Sequence, residues 1–340
     1  MKELIRKLVE SFGPVGFEDE VRAIIRAEIK GLADEVRLGK LGDLIAVKKG
    51  RGTGKKIMLV AHMDEIGLMV THVDKRGYLR VAPLGGVFSL YSVGARVRFA
   101  DGRLGVLGVD RREEASKAPT LDQIYIDVGA TSKDDCPVKV GDVAIFHQGL
   151  ERVGERLIAK SIDDRIGCAI LIETLRRLKQ TPHEIYFVFS VQEETTSAGA
   201  RTAAYSINPD IAIAVDVTGT GDTPKALPMT VEVGKGPAIK VRDAGMISDP
   251  RVKNWMVQRA QAAKIPYQLE ILRFGTTDVQ VVQAVREGVP SGGVSIPARY
   301  VHSQAEMVDL GDVENAVKLL VELLKKPIVM SNESHRDASQ

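Results

Sequence analysis

Ile57-Met58-Leu59-Val60-Ala61-His62-Met63-Asp64 begins as five consecutive apolar residues and then delivers an imidazole and a carboxylate. An unbroken apolar run of this length is the pattern of a strand buried on both faces of a parallel sheet. The same pattern recurs downstream. Glu184 to Val191 is followed by Glu193 and Glu194, Ile211 to Val215 by Asp216, and Gly293 to Ile296, a few residues on, by His302. In open α/β sheets, ligands bind in the crevice beyond the carboxyl ends of the strands. Each of these polar residues alone is better read as a turn residue. Four strand ends supplying His, Asp, Glu and His to one edge are not.

Outward from these strands, helical patterns fill the gaps: two helices within residues 1–33, broken at Gly13-Pro14, then Asp164 to about Leu178, 249–264, 277–287 and 312–325. From about residue 67 the texture changes to short Val/Ile/Leu segments separated by Gly and charged turns, the pattern of a small all-β module. The reading is an α/β domain, residues 1–66 and 158–326, interrupted by an inserted β domain, 67–157. Residues 327–340 form a polar, flexible tail. Composition narrows the class. The chain has 340 residues, 47 Lys+Arg against 45 Asp+Glu, and 5% aromatics, so neither a basic field nor a base-stacking surface for nucleic acid is expected. No window approaches the ~20 apolar residues of a membrane span. The amphipathic start lacks the apolar core of a signal peptide. Two cysteines, Cys136 and Cys168, make no disulfide framework. A soluble cytoplasmic protein is expected.

Local spacing adds chemistry. His62 and Asp64 are two residues apart, so in extended chain their side chains face the same way, and a carboxylate there can orient a ligating imidazole. The competing reading of Asp64 and Glu65 is helix capping. Glu193 and Glu194 are adjacent, so one can ligate while the other reaches into a cleft; alone they read as a solvated acidic pair. Asp163-Asp164-Arg165 opens a helix, so capping is a strong reading of Asp164 and a less complete one of Asp163.

The run Ala61-His62-Met63-Asp64-Glu65-Ile66-Gly67 resembles the first metal motif of the tetrahedral (TET) aminopeptidases, dinuclear metallopeptidases that include glutamyl and leucyl enzymes and were often once called endoglucanases. Ile162-Asp163-Asp164-Arg165-Ile166-Gly167-Cys168, Val191-Gln192-Glu193-Glu194, Val215-Asp216-Val217-Thr218 and Arg299-Tyr300-Val301-His302-Ser303 follow in the family's order. The resemblance implies a mixed-sheet, zinc-aminopeptidase-like α/β domain carrying a barrel-like β domain for dimerisation. It implies two divalent cations, Zn²⁺ or Co²⁺ with Mn²⁺ as an option, bridged by Asp163. His62 and Asp216 would complete one site, Glu194 and His302 the other. Glu193 would be the general base, with Asp64 orienting His62, and the Asp163–Asp164 bond would be cis. Short peptides would be the substrates, and dimers would assemble into a tetrahedral dodecamer. His72, His147, His183 and His335 match no ligand position.

Two departures fall near the expected substrate pocket. Thr195-Thr196-Ser197 replaces the usual Val-Gly-Leu after the paired Glu, and Gly275-Thr276-Thr277-Asp278 replaces Gly-Gly-Thr-Asp. Substrate preference is therefore not inherited from any one relative. The alternatives are a related metal-dependent carboxypeptidase or deacylase, a metal-free glycosidase working through two carboxylates, and a non-catalytic peptide-binding scaffold.

Overall fold

The computed structural model of the chain describes residues 1–52, 54–111 and 117–328. Most of the expected tail, including His335, lies outside the described residues. Two β structures are present among them: an eleven-stranded mixed sheet and a closed six-stranded barrel.

Four strands at the centre of the sheet are parallel, in the order Glu184–Ser190, Lys56–His62, Ile211–Thr218 and Ser291–Arg299. Their apolar runs are continuous because helices cover both faces. Ile57, Leu59 and Ala61 pack with the helices Lys2–Glu10, Ile162–Arg177 and Leu310–Leu324. The intervening Met58 and Val60 pack on the other side with Ala198–Ile207 and Val279–Val282. Outer strands join antiparallel on both sides, beginning with Leu44–Lys48 beside Glu184–Ser190 and Glu306–Asp309 beside Ser291–Arg299. Register sets the functional edge. Ser190 is paired with His62, and Ala214 with Val60, so Asp216 emerges level with His62.

The barrel strands are Gly67–Val73, Leu79–Leu84, Arg96–Phe99, Leu104–Val109, Ile124–Asp127 and Val143–Phe146. All are antiparallel, and they enclose a separate core that includes Leu79, Val97, Leu107 and Ile126.

One element is shorter than expected. The helical reading of 277–287 reduces to Val279–Val282, and the chain turns away through left-handed Arg286 and Gly288. Its valines are poor helix formers and are retained for burial against the sheet. No helix of the described residues is long and apolar enough to cross a membrane.

A buried charge cluster ties the first helix to the sheet. Glu65 Oε2 accepts from Lys160 Nζ at 2.7 Å, and Glu65 Oε1 from Arg165 Nη2 at 3.2 Å. Arg165 also donates to the Leu8 carbonyl, Ser11 Oγ and the Gly13 carbonyl. All three charged side chains are at most 3% exposed. Burial pulls the Lys160 ammonium down to about 8, even with the Glu65 carboxylate supporting its charge. One carboxylate thus holds two buried cations, and removing it leaves both uncompensated. Glu65→Gln should lower the unfolding free energy by roughly 3–5 kcal/mol in a urea titration; a loss under about 1 kcal/mol would show that the cluster contributes little.

Candidate metal centre

The carboxyl ends of the parallel strands bring His62, Asp163, Glu193, Glu194, Asp216 and His302 into one cleft. Asp163 stands at its middle, 8% exposed. Its Oδ1 lies 3.1 Å from His62 Nε2, and its Oδ2 lies 3.3 Å from His302 Nε2. Glu194 Oε2 is 3.2 Å from the same His302 nitrogen, and Glu193 Oε2 is 3.9 Å from His62 Nε2. Two donor groups each lie within 4.8 Å: His62, Asp164 and Asp216, and His62, Asp163 and Glu194.

Both imidazoles are oriented in the same way. His62 Nδ1 lies 3.1 Å from the Asp64 carbonyl, and His302 Nδ1 lies 2.9 Å from the Gly86 carbonyl. A carbonyl only accepts, so Nδ1 carries the hydrogen and Nε2 turns its lone pair toward carboxylate oxygens. That contact is repulsive unless a proton or a cation stands between them. With protons alone, the imbalance appears in the ionisation of the groups. Burial disfavours the charged imidazoles, yet hydrogen bonds that His62 would donate to the Asp163 and Asp64 carboxylates outweigh it and drive His62 well above its usual range. The Asp163 and Glu194 contacts likewise push His302 up to about 12. Burial, with neighbouring carboxylates, drives Glu193 and Asp216 well above normal even though His62 opposes the shift, and Asp163 is held below it by the two histidines despite its burial. Among the described residues no Lys or Arg comes within 4 Å of these carboxylates. The donor set therefore fits divalent cations: imidazole nitrogen plus carboxylate oxygen, with negative charge in excess.

Buried carboxylates also hold the backbone from which these donors project. Asp64 accepts from the Glu193 and Glu194 N–H groups at 3.0 and 3.1 Å. Its carboxylate stands 3.6 Å from His62 Nδ1, farther than its own carbonyl. Asp164 Oδ2 accepts from the His62 N–H and Oδ1 from the Gly167 N–H. A Cβ on Gly167 would come within 2.4 Å of both Asp164 oxygens. Glu306, 2% exposed, accepts from the Asp163 and His302 N–H groups at 2.9 and 2.8 Å. The Asp163–Asp164 peptide bond is cis. The sequence reading missed Glu306 and treated Asp164 only as a cap. No local motif marks Glu306, which lies at the start of an otherwise ordinary short strand. Gly86 was also missed; a Cβ there would meet His302 Nδ1 at 2.6 Å. The remaining described histidines serve elsewhere. His183 accepts from the Lys55 N–H and donates to the Lys326 carbonyl. Cys168 is buried, its Sγ donating to the His62 carbonyl, and Cys136 is partly exposed.

The chain is similar to known proteins along nearly its whole length. The M42 glutamyl aminopeptidase family matches residues 42–319. A putative aminopeptidase of Acetivibrio thermocellus is 48% identical over 95% of this chain and 98% of the relative. A lysyl aminopeptidase of Pyrococcus furiosus is 40% identical over 95% of this chain and 96% of the relative. Among solved structures, aminopeptidase APDkam598 of Desulfurococcus kamchatkensis superposes with a TM-score of 0.92 at 39% identity, covering 95% of this chain and 94% of that one. The TET1 peptidase of Pyrococcus horikoshii, which can assemble into a tetrahedron or a large octahedral shell, gives 0.84 at 29% identity over 96% and 99% of the two chains. On the extent of the family match and the identity to these relatives, this chain belongs to the M42 glutamyl aminopeptidase family.

Proposed function

We propose that the protein is a dinuclear metalloaminopeptidase that removes N-terminal residues from short peptides. The observation that carries the reading is the Asp163 carboxylate, whose two oxygens address two different imidazoles, His62 at 3.1 Å and His302 at 3.3 Å. His62, Asp163 and Asp216 would hold one divalent cation, and Asp163, Glu194 and His302 a second, with Zn²⁺, Co²⁺ or Mn²⁺ suited to the donors. Such a pair, when bound, supplies Lewis acidity that activates water and stabilises developing oxyanion charge.

Glu193 is the general base. It lines the cleft beside His62 without belonging to either donor group. Its burial raises its proton affinity toward the range in which it can take a proton from the attacking water and return it to the departing amine. Asp64 is a positioning residue, because it holds the Glu193 and Glu194 backbone with one carboxylate. Glu306 does the same for Asp163 and His302. The carboxylates crowded at the floor of the cleft favour a substrate that presents a free amino group, which makes hydrolysis exopeptidic. We further propose that residues 1–66 and 158–326 form the catalytic domain and that 67–157 form a dimerisation domain. Exposed Leu104, Val106 and Val140 on the barrel support this division. The assembly would be a shell like that of the TET1 relative, and the free cysteines suit a cytoplasmic location.

Glu193→Gln should lower kcat by at least ~10²-fold while bound metal, read by plasma mass spectrometry, stays at the wild-type level; wild-type turnover would remove Glu193 as the base. N-acetylation of a short peptide should abolish its cleavage, followed by liquid chromatography. Equal cleavage of capped and free peptides would favour the carboxypeptidase or deacylase alternative.

A further inference from the structure

The cleft that holds the cluster, about 480 Å³, continues away from it into a wall that carries no charge. Leu272 and Phe274 form its apolar part, and Thr195, Ser197, Thr276 and Gln280 its polar part. Among the described lining residues there is no Lys or Arg, and every carboxylate, namely Asp163, Glu193, Glu194 and Asp216, belongs to the central cluster. Two cations elsewhere in the protein, buried Lys240 and partly exposed Arg299, are committed. Lys240 is paired with Glu270 and Asp243, and Arg299 with Asp222. Phe274 is 70% exposed and Leu272 half-buried, so apolar surface stands open beside the reacting end of the cleft.

We infer that this wall receives the side chain of the substrate's N-terminal residue and selects an uncharged one of leucine or methionine type, against both glutamate and lysine. The inference rests on the aminopeptidase reading and adds its substrate class. A glutamate side chain would lose hydration against lining residues that include no Lys or Arg. A lysine side chain would find no carboxylate on the wall itself, because all four lining carboxylates belong to the central cluster. An apolar side chain covers Leu272 and Phe274 and loses nothing polar. The two departures from the usual pattern, at 195–197 and 275–278, supply three of these wall residues, Thr195, Ser197 and Thr276. The glutamyl preference in the family's description and the lysyl preference of the Pyrococcus furiosus relative therefore do not transfer to this wall.

The test is kcat/KM of the metal-loaded protein on leucine, methionine, glutamate and lysine p-nitroanilides. Leucine and methionine should exceed glutamate by at least ~100-fold and lysine by at least ~10-fold. Glutamate or lysine equal to or better than leucine would overturn the inference while leaving the aminopeptidase intact. Hydrolysis of none of the four, nor of free peptides, would instead remove the reading on which it rests. Gln280→Lys supplies the missing cation at similar side-chain length. It should raise the glutamate-to-leucine ratio at least ~10-fold with metal content and Tm unchanged. An unchanged ratio in that folded variant would show that the side chain is received elsewhere.

Discussion

Five carboxylates, those of Asp163, Asp164, Glu193, Glu194 and Asp216, crowd around two imidazoles, and no lysine or arginine of the described residues forms an ion pair with them within 4 Å. Burying one unpaired carboxylate costs several kcal/mol, so the cluster persists only if cations or protons are shared within it. That constraint accounts for the architecture at the sheet edge. The donors must sit close together, so they come from the ends of adjacent parallel strands, where register aligns His62 with Ser190 and brings Asp216 level. Their backbones must not relax apart under mutual repulsion. Asp64, Asp164 and Glu306 hold them through hydrogen bonds to main-chain N–H groups of Glu193, Glu194, His62, Asp163 and His302. Metal uptake and stability are then coupled, because a cation that binds the folded arrangement relieves the charge that opposes it.

The two β structures meet at this point. The barrel has its own hydrophobic core, distinct from that of the helix-covered sheet. Yet the segment after its second strand reaches the cleft. Gly86 accepts the Nδ1 hydrogen of His302 through its carbonyl, and the Phe88 ring lies 6.0 Å from the His302 ring. The orientation of His302 thus depends on the segment that follows the second barrel strand. On the opposite side, Glu65, Lys160 and Arg165 lock the first helix and residues 11–13 to the segments carrying His62 and Asp163.

Much of this was legible in the sequence, for identifiable reasons. Apolar runs that end in His62, Glu193, Asp216 and the segment before His302 announce parallel strands and a shared edge, because period and termination are both local properties. The change of texture near residue 67 is likewise compositional. What was not legible is what depends on distant pairing. Glu306 resembles any strand residue until the fold places it under two main-chain N–H groups from Asp163 and His302. Asp164 reads as a helix cap until its oxygens are seen on His62 and Gly167. Gly86 has no local signature, since its constraint comes from a histidine more than 200 positions away. The expected helix over 277–287 shortened because burial of valines against the sheet, rather than helical propensity, governs that stretch.

The central claim is that a pair of cations, not protons, neutralises this cluster in the working protein. Chelator-stripped protein titrated with Zn²⁺ or Co²⁺, with bound ions counted per chain by plasma mass spectrometry alongside peptide hydrolysis, tests it directly. The account predicts no hydrolysis in the stripped protein and full activity only as a second equivalent binds. Full hydrolysis in excess chelator, or saturation of both binding and activity at a single ion per chain, would contradict it.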